Sequence, residues 1–380
     1  MRRKLLSLFS LLAVGALLAA CAAPASPAPT AVPPTEKPTE PPAPTEIPWT
    51  APDGALVSAM ADAAPTLDGV ADDAVWANAP ETVVKVAGGF NNYSTEVKLK
   101  SVYVGDMVYF VATWADPTET WLRAPWEKQP DGSWKKLSDP NDKGGDNNVY
   151  YEDKLAFIWP INSSITNFNT VGCFSACHAG ENSDVKPYGN KYTAAAGETG
   201  DIWHWKSIRS LGQIDDQFLD NTGYSKDTPE AGRHSDPKDS GGYADNYASM
   251  PDPNDATKTV QDKTKPGFML PAGSAKDGSP GFILDSEKLP FDDTQFVAGD
   301  RIPGIVKSAI VGDRGDIAAS WKWADGAWTL EFSRKLVTGS DKDVQFDDLA
   351  ATYYFGVAVF ENAQVRHAFE TGSTPFAFKP

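Results

Sequence analysis

From Asp316 to Leu336 the chain reads DIAASWKWADGAWTLEFSRKL, two runs of alternating character broken by Asp325-Gly326. Period two fits a pleated strand, whose successive side chains point to opposite faces, and Asp-Gly supplies the left-handed backbone of a two-residue hairpin turn. The stretch is therefore predicted to be a β-hairpin, with Trp321, Trp323, Trp328, Leu330 and Phe332 divided between its two faces.

The same pattern recurs upstream. TVVKVA, TEVKLKSVYV and MVYFVATWAD are rich in β-branched and aromatic residues, and Gly105-Asp106 sits where a tight turn would join the last two. KLAFIWPI (154–161) and TYYFGVAVFEN (352–362) are more continuously apolar, as strands covered on both faces are, and are placed centrally. Residues 211–280 are rich in Gly, Pro, Asp, Asn, Lys and Ser without sustained periodicity and are expected to form an extended loop insertion. The fold class that follows is all-β, an antiparallel β-sandwich with long loop insertions.

The first residues set the compartment. Met1–Lys4 is basic, Leu5–Leu18 is largely apolar, and Leu18-Ala19-Ala20-Cys21 ends in the small residues of a cleavage site. The apolar run is shorter than the roughly 20 residues a spanning helix needs. Residues 1–20 are thus expected to be a signal peptide, and Cys21, in a lipobox-like setting, a lipid anchor on the extracytoplasmic side of the cell membrane. Residues 21–52, dominated from Pro24 onwards by Pro, Ala, Thr and Glu, cannot bury a core and favour extended polyproline II, which makes a tether. The folded domain is expected to run from 53 to 380.

The formal charge is −17, and loss of Arg2, Arg3 and Lys4 with the leader takes it to −20. A surface of that sign repels phosphate backbones, so nucleic acid is excluded as a partner.

Two cysteines remain after the leader and its anchor, and both lie in VGCFSACHAG, residues 171–180. A c-type haem is held by thioethers from two cysteines, with the histidine after the second one ligating the iron in the spacing CxxCH. CFSACH carries one extra residue between Cys173 and Cys177 but keeps His178 directly after Cys177, where it serves as an iron ligand. Gly172, Ala179 and Gly180 are small enough to let backbone approach a flat ring. Two other readings of the same residues are a Cys173–Cys177 disulfide and a metal site of both thiolates with the imidazole.

A second axial ligand is sought among His204, His234 and His367, with Met250 and Met269 as thioethers. His234, Met250 and Met269 fall in the polar insertion and rank lower. In DIWHWKSIR, Trp203 and Trp205 should face one way and His204 the other. His367 follows a central strand and is first choice, beside Arg366, whose guanidinium suits a haem propionate.

LDGVADDAVWANAP, VATWADPTETWLRAPW, YEDKLAFIWPI, DIWHWKSIRS, GDIAASWKWADGAWTLEFSRKLVTG and FGVAVFENAQVRHAF together resemble the haem-binding domain of the ethylbenzene dehydrogenase γ-subunit family, over most of Ala64–Phe369. The resemblance implies a β-sandwich holding one electron-transfer haem, beside a molybdenum oxidoreductase of the dimethyl sulfoxide reductase type or another cytochrome as redox partner. In that family one axial ligand comes from the segment before the WHW strand, where this chain has Cys173, Cys177 and His178. The other comes from the segment matching QVRHAF, so bis-histidine ligation by His178 and His367 is what the resemblance implies.

The function expected is a membrane-anchored monohaem cytochrome c that carries electrons in an extracytoplasmic respiratory chain and breaks no substrate bond; no catalytic residues are assigned. An open-iron enzyme finds no base or nucleophile arrangement to support it. The alternative is an exported carbohydrate-binding module without haem, because LDGVADDAVWANAP also resembles the opening of family 9 modules, whose tryptophans stack sugars, and the chain has 12 tryptophans.

Overall fold

Alternating sequence becomes a long curled sheet. The computed structural model describes residues 49–141, 147–177, 191–229 and 231–380; the leader, Cys21, the tether up to residue 48 and His178 lie outside the described residues. The strands that position the site are β1 (Leu56–Met60), β2 (Thr82–Val86), β3 (Thr95–Val104), β4 (Met107–Ala115), β5 (Lys154–Pro160), β6 (Gly200–Lys206), β7 (Asp215–Leu219), β8 (Arg233–Ser235), β9 (Ala318–Ala324), β10 (Ala327–Lys335), β11 (Thr352–Phe360) and β12 (Thr374–Lys379). Their order across the sheet is β8-β7-β6-β5-β11-β12-β1-β3-β4-β10-β9, with β2 paired to β3.

The all-β class holds, and β5 and β11 do lie centrally, paired to each other. The sheet is mixed rather than wholly antiparallel: β1 runs parallel to both β12 and β3. It enters between them from a distant part of the chain, so no tight turn dictates its direction.

Both expected hairpins form. Val104 pairs with Met107 across Gly105-Asp106, and Ala324 with Ala327 across Asp325-Gly326. Asp325 and Gly326 both have positive φ, 53° and 78°, as the primed turn requires. The five apolar residues of the second hairpin do not divide between faces. Trp321 is opposite Leu330 and Trp323 opposite Trp328, so all share one side. Trp328, Leu330 and Phe332 are in the core, with Trp321 and Trp323 packed at its margin.

The curl folds one half of the sheet over the other, and their inner faces meet in an aromatic core. Phe110 of β4 stacks on Phe332 of β10 at 5.0 Å between ring centroids and meets Trp203 of β6 edge-on at 5.6 Å. Trp205 of β6 contacts Trp114 at 5.6 Å and Trp328 at 5.0 Å. Such geometries add about 0.5–1.5 kcal/mol per pair beyond the area buried. The curl closes where Gln213 bridges Ala318, with Ala319 N–H donating to Gly212 O at 2.9 Å and Ile214 N–H to Ile317 O at 2.9 Å. Trp49–Pro380 is one compact unit.

The segment 211–280, expected as an extended loop, is instead laced with short strands. β7 and β8 extend the main sheet past β6, Ser240–Asp245 pairs with Ile305–Val311, and Ala248–Asp252 pairs with Asp255–Asp262. Few apolar side chains are needed for this, because backbone ladders satisfy the peptide groups of a polar sequence. Among the described residues no helix is long and apolar enough to cross a membrane.

Candidate functional site

Strand register builds the site on the outer face of β11, β5 and β6. The inner residues of these strands, Leu155, Phe157, Trp159, Trp203, Trp205, Phe355, Val357 and Val359, belong to the core. The alternate residues point outward in three cross-strand rows: Gly356, Ile158, Ile202; then Ala358, Ala156, His204; then Phe360, Lys154, Lys206. Small residues in the first two rows leave a hollow with Ile158 and Ile202 at one end and Lys154 and Lys206 at the other; Lys191 and Arg233 also line it, on the Cys177 side. A cavity of 390 Å³ opens over it, within the size range of cofactor sites.

At the isoleucine end, the short helical turns Phe168–Val171 and Gly172–Ser175 bring Cys173 and Cys177 to the cavity wall. Cys173 packs with Ile158, Phe168, Ile202 and Leu219, with Cys177 alongside. No disulfide joins them. Burial pushes the Cys173 thiol up to about 12 and the Cys177 thiol up to about 11, which favours the protonated form at neutral pH. Gly172 has φ +58°, and a Cβ there would lie 1.9 Å from the Gly372 carbonyl oxygen. Its smallness thus serves a close backbone crossing inside the protein.

At the other end the cavity is lined by Lys154, Lys206 and Arg209, and among the described residues no carboxylate lines it. The acids stand just behind. Glu152 pairs with Arg209 and, at 3.9 Å, with Arg123, while Asp215 pairs with Lys206 and Arg314. Lys154 Nζ sits over the Phe360 ring at 3.8 Å and donates to Gln364 O at 3.0 Å. Burial, with Arg209 and Lys206 nearby, drives the Lys154 ammonium well below its usual range. An anion at this end would reverse that pressure.

His204 is 5% exposed and faces away from Trp203 and Trp205, as the alternation requires. Its Nδ1 lies 3.3 Å from Gln217 Oε1, and its Nε2 is buried without a hydrogen-bond partner. Burial first, then Lys206 and Lys154, hold the imidazole neutral by lowering its affinity for a proton. His367 and Arg366 reach the same cavity from the segment after β11. The Phe360 ring contacts both imidazoles, at 5.7 Å to His204 and 4.8 Å to His367.

Of the residues singled out in the sequence, Cys173, Cys177, His204, Arg366 and His367 line one cavity, and His178 lies outside the described residues. The lower-ranked candidates do not line it: His234 pairs with Asp220 at 3.1 Å, Met269 is buried beside Trp126, and Met250 is exposed. Sequence reasoning missed Lys154, Lys206 and Arg209. The signal was present for the two lysines, since Lys206 has the parity of His204 in WHWK and Lys154 that of Ala156. Only Trp49 among the tryptophans is exposed, and most of the rest fill the core, leaving no row of rings for a sugar platform.

The described residues thus form an all-β domain with a cavity whose wall carries two thiols, two imidazoles and several cations. A family model described as ethylbenzene dehydrogenase matches residues 73–371, and the chain belongs to that family. No curated protein matches it in sequence. Among solved structures, a family 9 carbohydrate-binding module from Caldicellulosiruptor kristjanssonii with cellotriose is 9% identical at a TM-score of 0.29, covering 85% of this chain and 93% of its own. The same module with glucose is 8% identical at a TM-score of 0.29, covering 85% and 95%.

Proposed function

We propose that the cavity holds one haem, attached through Cys173 and Cys177, and that the protein is an electron carrier anchored outside the cytoplasm through Cys21. The observation that supports this best is what the cavity wall brings together. Both thiols lie at the end formed by Ile158, Ile202 and Leu219, with Lys191 and Arg233 nearby, the unpartnered Nε2 of His204 is in the middle row, and Lys154, Lys206 and Arg209 are at the far end.

The residues fit the group. Ala156, Gly356 and Ala358 leave a floor without long side chains, as a flat macrocycle needs. Lys154, Lys206, Arg209 and Arg366 suit two propionates. Cys173 and Cys177 would hold the group through thioether bonds to its vinyl carbons, an addition of S–H across C=C that would need no oxidant. Protonated, apolar-packed thiols do not oxidise readily before that addition. When bound, the haem supplies one-electron oxidation and reduction at its iron.

His178 follows Cys177 directly and would serve as one ligand to the iron. The other comes from the pair His204 and His367: His367 is the one the family resemblance implies, and His204 is the one whose nitrogen has no other partner. The chain's role is to hold, orient and dry the cofactor while electrons pass to or from a partner, a molybdenum oxidoreductase of the dimethyl sulfoxide reductase type or another cytochrome.

The test is expression in a host that matures c-type cytochromes. The mature chain should gain the mass of one haem, keep it through acid acetone extraction, and show a low-spin spectrum. An intact chain without that added mass, from cells whose maturation system works, would refute the attachment.

A further inference from the structure

The face of β6 opposite the cavity carries an unexplained charge problem. Asp201 points inward from β6, Asp216 lies on β7, Asp236 just beyond β8 and Asp343 in the turn after β10, and all four are at most 7% exposed, as is Arg334 of β10. Arg334 is the one cation among them. It donates to Asp201 Oδ2 at 3.1 Å and to Asp343 Oδ2 at 3.4 Å. Asp201 Oδ2 also accepts from Trp203 Nε1 and Val344 N, each at 2.9 Å. All these donors engage one oxygen and leave the other.

Left over are Asp201 Oδ1, Asp216 Oδ2, Asp343 Oδ1 and both oxygens of Asp236, every one buried and without a hydrogen-bond partner. Asp236, 3% exposed, stands beside Asp343 with both its oxygens buried, a like-charge contact that is costly without a proton or a counterion. Ligand oxygens of Asp201, Asp216 and Asp343 lie within 4.8 Å of one another. Two oxygens on one calcium ion, each at 2.3–2.6 Å, stand at most about 5 Å apart.

We infer that Asp201, Asp216 and Asp343 form a buried calcium site, in which the ion takes the carboxylate oxygens that Arg334 and the backbone leave unpaired, with Asp236 close beside it. An all-oxygen, carboxylate-rich set selects a hard cation over zinc or copper, and three carboxylates against one guanidinium leave two negative charges for a divalent ion to match. The site shares no residue with the cavity, so it stands whether or not haem binds.

The test uses the mature chain, stripped with EDTA and titrated with calcium chloride alone, followed by calorimetry, thermal unfolding and tryptophan fluorescence, to which Trp203 reports directly. One ion should bind, with the unfolding midpoint raised by about 5 °C at saturating calcium. Asp343→Asn lies outside the strands and should weaken calcium affinity at least tenfold with an unchanged far-ultraviolet spectrum. Asp216→Asn should do the same, and serves as the second variant if the first folds poorly. Absence of binding and of any midpoint shift at millimolar calcium would overturn the inference, as would calcium affinity unchanged in both variants.

Discussion

His204 and Gln217 face each other across the β6–β7 ladder, Nδ1 to Oε1 at 3.3 Å, and this leaves the other imidazole nitrogen buried with nothing to bond. A buried nitrogen in that state costs about 1–3 kcal/mol unless a ligand takes it. An iron atom would do so, as would a polar group of another occupant.

Separate replacement of His204 and His367 by alanine decides which imidazole completes the coordination. The variant lacking the true ligand should shift from low to high spin in its visible spectrum, while the other should not. Two imidazole ligands also predict a low or moderate midpoint potential, because thioether sulfur favours the reduced iron more than imidazole does. A strongly positive midpoint in a redox titration would count against two histidines.

Ala156→Phe should fill the hollow between His204 and Ala358 without disturbing the inner face of β5. The expected result is a folded protein, with its unfolding midpoint within about 4 °C of the parent, that retains little or no haem. Undiminished haem content would mean that the ring does not lie over this floor.

How much of this was legible beforehand can be judged residue by residue. The strands were, since period two survives in the hairpins and in WHW; Cys173, Cys177, His204 and His367, singled out in the sequence, line one cavity. The shared face of Trp321 and Trp323 was legible too, because a two-residue turn at 325–326 fixes Trp323 opposite Trp328 and so forces one parity. The expected division between faces failed by leaving that register out. The four aspartates opposite the cavity were not readable. They come from segments as far apart as 201 and 343, and only the curl of the sheet brings them together. Nor was the parallel entry of β1, for which no local pattern exists.

Asp116 predicts a pH dependence. Burial first, then the charge of Glu361, raises its carboxyl to about 7, with Asp153 and Tyr93 also facing it. The native state thus holds a proton that the unfolded chain, titrating near 4, releases. That contribution to stability is complete below about pH 4 and is lost as pH rises towards 7. Between those limits Asp116→Asn should show a shallower fall of unfolding midpoint than the parent protein. Parallel curves would show that Asp116 is already ionised in the native state.

Phe332→Ala removes a ring stacked on Phe110 and in contact with Phe157 and Trp203, all buried. The loss should be about 3–5 kcal/mol in chemical denaturation. A cost under about 1 kcal/mol would mean that the two halves of the sheet do not depend on this contact.

The bridge between Gln213 and Ala318 reaches beyond the core it helps to enclose. At one margin of the main sheet the last strand, Arg233–Ser235, is three residues long, and at the other Ala318–Ala324 is met by backbone from 212–214. A neighbouring copy that added a strand would have to use the short Arg233–Ser235 margin or the stretch 320–324, the part of the other margin that 212–214 does not reach.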